Sequence, residues 1–536
     1  MGTRTWRPSL SNAELAVLMA GVTSIGIEIL AGRIVAPEFG NSIYVWGSII
    51  GVNLAALAAG YHLAGRRAPT RANTDRIASL LLQAGVFVVV LLVGGDAILK
   101  TFDALPLPAR FAPLPAITFL FGPPVFLLGF VSPYAAELSE EPTAGSASGR
   151  VYALGTIGSI IGAFGTTFFL VPTFPIAVIE VGFGLLLAGT ALWVGETTPT
   201  RVGQGLVLVV ALLAAFLLGG YGLQVGGTTI YQTGTPYANL QVVDENGVRT
   251  LYLGGAPQSA MYIDGREGYV FDYSAYLHIP MLVQSDVDRV LFIGGGGFST
   301  PKRYLEEYPN VTVDVVELDP VVIDVARQYF NVSRSERLNV IQGDGREFLE
   351  ETNREYDVIV LDAYRQDRVP YHMTTVEFFR LAKDRLDSDG ALVANVISAR
   401  SGSGSEFFRA EFKTLQQAFP HVYAFPTSET PLLQNIELVA LKQAEGFTEA
   451  EFRQLARDRR AAVGLNLTTE VSNYLNATDV PTGDVPILTD EYAPVDRLLD
   501  PQLGRRYVIE RNNSSRTLGP LVTPTWRAGA PSVTAH

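Results

Sequence analysis

A multi-pass α-helical membrane bundle followed by an α/β nucleoside-type domain is the fold class this sequence predicts. Three observations predict it. Hydrophobic residues make up 48% of the chain and mean hydropathy is +0.23, high for a soluble protein. The long apolar stretches stop near residue 225. Beyond them stand a glycine turn, Val290-Leu-Phe-Ile-Gly-Gly-Gly-Gly297, and an acidic strand end, Val315-Val-Glu-Leu-Asp319.

Composition removes several function classes. The 536 residues are enough for two or more domains. There is no cysteine, so disulfides, thiolate metal sites and a cysteine nucleophile are excluded. Five histidines do not make a His-rich centre, and no metal is expected. The net charge of -13 repels phosphates, so no nucleic acid partner is expected. Few lysines and many acids suit a high-salt cytoplasm as well as ordinary solubility.

Residues 1–224 read as a transmembrane domain of about seven helices, near 14–35, 45–64, 77–98, 115–135, 151–171, 175–194 and 203–223. Each is long enough for about 30 Å of hydrocarbon. Gly155, Gly158, Gly162 and Gly165 allow close helix packing in the fifth. Glu28 and Arg33 place ionisable groups in the first, where such groups are costly and often functional. The most basic short loop holds Arg66, Arg67, Arg71 and Arg76 and is expected to be cytoplasmic. Seven spans then put the C-terminal half outside the cell, where adenosyl compounds are scarce. A re-entrant fourth segment at Pro123-Pro124 would reverse that. On chemical grounds a cytoplasmic domain is preferred, in a multi-pass protein of the cell membrane whose first partner is the lipid bilayer.

Residues 225–285 read as a small β subdomain, with a hairpin at 239–253 and a helix near 270–282. Residues 286–445 read as the main sheet. Its first strand, 290–293, runs into Gly294, Gly295 and Gly296, where the backbone turns tightly and can approach a ligand. The second strand ends at Glu317, an acid about twenty residues on, suited to ribose hydroxyls. The third ends at Asp344, near an adenine edge, and the fourth at Asp362. Ligands bind at such carboxyl ends in open parallel sheets. The bland alternative is that these acids only cap helices. Residues 446–510 form an extension, and 511–536 read as a disordered tail.

From Tyr231 to about Ile397 the order of motifs resembles the spermidine synthase (polyamine aminopropyltransferase) family. Tyr231-Gln232, Leu251-Tyr-Leu-Gly-Gly-Ala-Pro-Gln258, His278-Ile-Pro-Met-Leu282, the glycine turn, Glu317-Leu-Asp319, Gly343-Asp-Gly345 and Tyr356-Asp-Val-Ile-Val-Leu-Asp362 fall in family order. The resemblance implies a Rossmann-like, class I methyltransferase-type fold. It implies a site for decarboxylated S-adenosylmethionine, or S-adenosylmethionine, as co-substrate, touched by Gln232, Gly294, Gly295, Gly296, Glu317, Asp344 and Asp362. It implies transfer of an aminopropyl group to a small amine or a membrane-proximal acceptor. A homodimer is compatible with it.

The departures matter too. The family's glycine turn carries an acid for the donor's amine, and here that place is Gly297. Arg365 stands where the family has a second catalytic acid, and an arginine there would repel a cation and suit an anionic substrate. The chain also resembles a membrane-fused branch, through Asp362-Ala-Tyr364-Arg-Gln-Asp367-Arg-Val-Pro370-Tyr-His372 and Leu488-Thr-Asp490-Glu491-Tyr492. Asp367 and His372, with Asp362, are therefore the expected base and orienting groups. Asp490, Glu491 and Tyr364 are expected to meet the acceptor. Methyl transfer with the same fold, and a membrane protein that only senses a nucleoside, remain alternatives.

Overall fold

The computed structural model describes residues 10–39, 43–103, 105, 107, 109–219, 227–365, 369–502, 507 and 509. Asp367 and the tail 511–536 lie outside the described residues.

Among the described residues, seven helices long and apolar enough to cross a membrane occupy the N-terminal part, from Asn12–Ala36 to Pro199–Leu217. Their exposed side chains are themselves apolar, among them Leu54, Val93, Phe168, Trp193 and Leu217. That suits a hydrocarbon surrounding, where hydrophobicity does not have to be hidden. Helices Asn12–Phe39 and Ala144–Gly165 pack closely along their length. A Cβ at Gly158 or Gly162 would run into the backbone of Leu18 or Val22. Helix Pro113–Leu128 passes straight through Pro123 and Pro124 and breaks only at Gly129 and Phe130.

The bundle has two chemically distinct ends. At one, Glu14 pairs with Arg150 and Asp75 with Arg201. The Arg66–Arg76 loop belongs to this end, between helices Ile43–Arg71 and Thr74–Asp103. At the other end Arg33 Nη2 donates to the carbonyls of Thr235 and Pro236, at 2.9 and 2.7 Å. Arg33 thus ties the bundle to the β subdomain. Because Arg150 opens the helix after the Pro123-Pro124 segment and still meets Glu14, that segment crosses the bundle and is not re-entrant.

The β subdomain is an antiparallel meander, β1 (Thr228–Gly234), β2 (Asn239–Glu245), β3 (Val248–Leu253) and β4 (Ala256–Tyr262). Asn246-Gly247 makes the turn between β2 and β3, both with positive φ, as a two-residue hairpin requires. The helix expected at 270–282 is instead two short ones, Tyr273–Tyr276 and Pro280–Val283. Pro280 has no N–H to continue the first, so a new helix starts at it.

The main sheet has seven strands: β5 (Arg289–Ile293), β6 (Thr312–Glu317), β7 (Leu338–Gln342), β8 (Tyr356–Leu361), β9 (Leu386–Ser398), β10 (His421–Pro426) and β11 (Gln434–Leu441). Their order is β10-β11-β9-β8-β5-β6-β7. Strands β5 to β9 are parallel, and β11 runs antiparallel between β9 and β10. This is the methyltransferase-type arrangement. Order reverses between β5 and β8, which opens a crevice at their carboxyl ends.

Strand parity sorts the sheet into two faces. Leu291, Ile293, Ile359, Leu361, Leu392, Ala394, Ile436 and Leu438 share one core. Val290, Phe292, Val358, Val360, Ala391, Val393 and Val439 share the other. Each buried Val, Leu or Ile contributes roughly 1.5–3 kcal/mol. A slip of one residue would exchange the faces, so register is fixed by both cores.

His278 is buried in the second core. Its ring lies 4.3 Å from that of Tyr304, and its nitrogens meet the hydroxyls of Tyr269 (2.6 Å) and Tyr308 (2.8 Å). Burial pushes its pKa down to about 3. The unfolded imidazole titrates near 6.5. Below that value the unfolded chain takes up a proton that the folded chain refuses. This contribution is therefore complete above pH ~6.5 and shrinks by about 1.4 kcal/mol per unit towards pH 3. The expected result is that His278→Asn loses stability at pH 7 yet falls less steeply between pH 6.5 and 4. Melting curves in detergent at several pH values measure the difference, and equal slopes would refute the assignment.

Candidate adenosyl site

The glycine turn is built by steric necessity. Gly294 and Gly296 have φ of 97° and 49°. A Cβ at Gly294 would strike the carbonyl of Asp362, so glycine brings β5 and β8 together at their ends. At Gly297 a Cβ would stand 2.9 Å from Ser259 Cβ and 3.0 Å from a Phe330 ring carbon. Strand β4 therefore fills the place where an acid for the donor's amine was sought.

Glu317 grips the turn. Its Oε2 accepts from the backbone N–H of Gly295 (2.8 Å) and Gly296 (3.3 Å), and Oε1 accepts from Asp319 N–H at 3.0 Å. Burial pushes the carboxyl upwards, and these three amides oppose the push. Asp319, not Glu317, caps the next helix, Pro320–Tyr329. Glu317 is left to the glycine turn, at the carboxyl end of β6.

Asp362 sits one residue beyond β8. Its Oδ1 accepts from Asn395 Nδ2 at 2.8 Å, and burial raises its pKa. Asn395 Oδ1 accepts from Asn435 Nδ2 (2.8 Å), and Asn435 Oδ1 accepts from the Tyr507 hydroxyl (2.7 Å). Donors thus run in one direction towards Asp362.

The other expected site residues are placed differently. Asp344 caps helix Gly345–Glu351 through Arg346 N–H (2.8 Å), and its Oδ2 meets His372 Nε2 at 2.9 Å. Here the bland capping alternative describes Asp344 well. Asp490 makes a two-pronged pair with Arg346, at 2.7 and 2.6 Å, and accepts from Thr375 Oγ1. Asp344, Arg346, Tyr371, His372 and Asp490 line one open cleft. Glu491 is exposed beside it, and Gln232 is exposed on β1. Tyr364 is a correction. It is buried in the first core, and its hydroxyl bonds Glu411 Oε1 (2.8 Å) and Met373 O (2.7 Å). It is thereby turned away from the face that carries Asp362. Arg365 lies against Gly254 at the β3–β4 turn.

The Asp490–Arg346 pair is part-exposed, so solvent screens it. Asp490→Asn is expected to lose roughly 0.5–1 kcal/mol of stability and to leave nucleoside affinity within twofold, by melting curves and calorimetry.

Sequence reasoning missed Asn395, Asn435 and Glu437. The available signal was polar residues inside the otherwise apolar runs of β9 and β11.

Fold and site define a class: a bundle of long apolar helices carrying an α/β domain of methyltransferase topology with an acidic crevice. Within that class the C-terminal part is spermidine synthase-like. Residues 271–444 match the spermine/spermidine synthase domain. A polyamine aminopropyltransferase of Vibrio vulnificus is 28% identical over 302 residues, 54% of this chain and 96% of that protein. A probable polyamine aminopropyl transferase of Bifidobacterium longum is 28% identical over 285 residues, 50% of this chain and 61% of that one. These relatives are transferases. The crystal structure of a probable spermidine synthase from Corynebacterium glutamicum aligns with a TM-score of 0.39 at 22% identity, over 44% of this chain and 87% of that one.

Proposed function

We propose that this protein is a membrane-anchored transferase that moves an aminopropyl group from decarboxylated S-adenosylmethionine to an amine. The observation that carries the reading is that Glu317, at the end of β6, and Asp362, just past β8, both lie against the β5 glycine turn. The sulfonium donor supplies an activated methylene carbon and leaves as neutral methylthioadenosine. Glu317 can hold a ribose hydroxyl while it keeps the turn rigid, since a carboxylate has about four acceptor sites and three are on amides. Asp362 is placed to take the proton that an attacking ammonium must lose. Positioning in the crevice supplies much of the remaining acceleration.

Two further readings each have a specific observation in their favour. Gly297, crowded by Ser259, offers no acid to the donor's amine, which favours intact S-adenosylmethionine and methyl transfer. The arginine-rich end of the bundle lies opposite the Arg33–Thr235 contact, which favours a domain outside the cytoplasm. The availability of the donor favours the cytoplasm.

Calorimetry with decarboxylated S-adenosylmethionine, S-adenosylmethionine and methylthioadenosine decides among these readings. Preference for the decarboxylated donor supports aminopropyl transfer, and preference for the intact one supports methyl transfer. Binding of none of them defeats both and leaves the outward-facing domain. Protease accessibility of the C-terminal domain in sealed vesicles reads the side directly.

A further inference from the structure

Strand register places a buried acid beside Asp362. In β8 and β9 Leu361 pairs with Ala394, so Asp362 and Asn395 are the next step of the same ladder. Across β9 and β11 Asn395 pairs with Glu437. Gly294 follows Ile293, the partner of Leu361. Glu437, Asn395, Asp362 and Gly294 therefore form one row across four neighbouring strands. Parity puts the row on the face of Phe292, Val360, Val393 and Val439.

Glu437 is fully buried, and among the described residues neither of its carboxyl oxygens has a hydrogen-bond partner. An enclosed, unpartnered carboxyl is unfavourable for folding, because nothing replaces the water it has lost. Asn395, its cross-strand neighbour, spends its amide on Asp362. The hydroxyl of Tyr273, which lies near both acids, donates to Gln258 O. A cation with several N–H donors would satisfy Glu437 and Asp362 together.

We infer that Glu437 is an acceptor-binding residue, forming with Asp362 a two-carboxylate subsite for a primary ammonium group. The assignment rests on the transfer reading above and deepens it. The acid missing at Arg365 is supplied from β11, on the opposite flank of Asp362. The site selects an amine over a neutral or anionic acceptor, because an anion would meet two carboxylates.

The test uses the full-length protein in detergent. Binding of 1,4-diaminobutane, 1,4-butanediol and succinate is measured by calorimetry with methylthioadenosine present, for wild type, Glu437→Gln and Glu437→Leu. Wild type is expected to bind the diamine and neither of the others. Both variants are expected to weaken diamine binding at least tenfold, keep methylthioadenosine affinity within twofold and melt no lower than wild type. Diamine affinity that survives Glu437→Gln, or preference for succinate, overturns the assignment and leaves the transfer reading standing. Melting far below wild type in both variants also overturns it, since Glu437 would then serve the fold. Failure of wild type to bind methylthioadenosine overturns the transfer reading itself, and the assignment with it.

Discussion

Replacing Glu317 with alanine is expected to reduce methylthioadenosine affinity by about 10- to 100-fold or more. A hydrogen bond to a charged group contributes roughly 1.5–3 kcal/mol, and with three of its about four acceptor sites on amides Glu317 has one left for a ribose hydroxyl. At 1.4 kcal/mol per decade that is about one to two decades of affinity. A second loss is particular to this site. The carboxylate also receives the amides of Gly295, Gly296 and Asp319, and alanine leaves all three without it. The turn that approaches the nucleoside is then no longer held. Glu317→Gln retains one oxygen and is expected to lie between the two. Calorimetry reads the affinity and a melting curve reads the turn. Wild-type affinity in Glu317→Ala would mean that the nucleoside, if bound, sits elsewhere.

The parallel core of the domain was legible because hydrophobic burial writes it plainly. Runs such as 290–293 and 358–361 are apolar without alternation, as strands covered on both faces must be. Glycines and strand-end acids then marked the carboxyl edge. The seven spans were legible for a similar reason, since length and hydropathy are local properties. What was not legible is long-range. Whether a strand-end acid faces a crevice or caps a helix depends on the next residues' amides: Asp344 finds Arg346 N–H, whereas Asp319 spares Glu317 that task. Tyr364, two residues after Asp362, belongs to the opposite face and bonds Glu411, a partner 47 positions away. Glu437 entered the row only through the antiparallel insertion of β11 beside β9, a pairing that no local pattern announces.

Asp362→Asn is expected to lower turnover by about 10² to 10⁴, the usual range for removal of a general base, while leaving nucleoside affinity within threefold. The substitution keeps volume and keeps an oxygen to accept from Asn395, so the relay from Tyr507 survives. What changes is the atom offered to the acceptor. An amide N–H stands where a lone pair is needed, and an incoming ammonium meets a donor. The pH profile separates a base from a merely structural group. Burial raises Asp362 above the ordinary carboxylate range. Wild-type kcat/KM is therefore expected to fall on its acid side at a pH above the usual carboxylate value of about 3.9. The activity rises as the carboxyl loses its proton, and Asp362→Asn should lose that limb altogether. A variant that keeps near-normal turnover, or the same acid limb, would transfer the base's role to another carboxyl. On this geometry the first candidate would be Glu437, and the double variant would then be the inactive one.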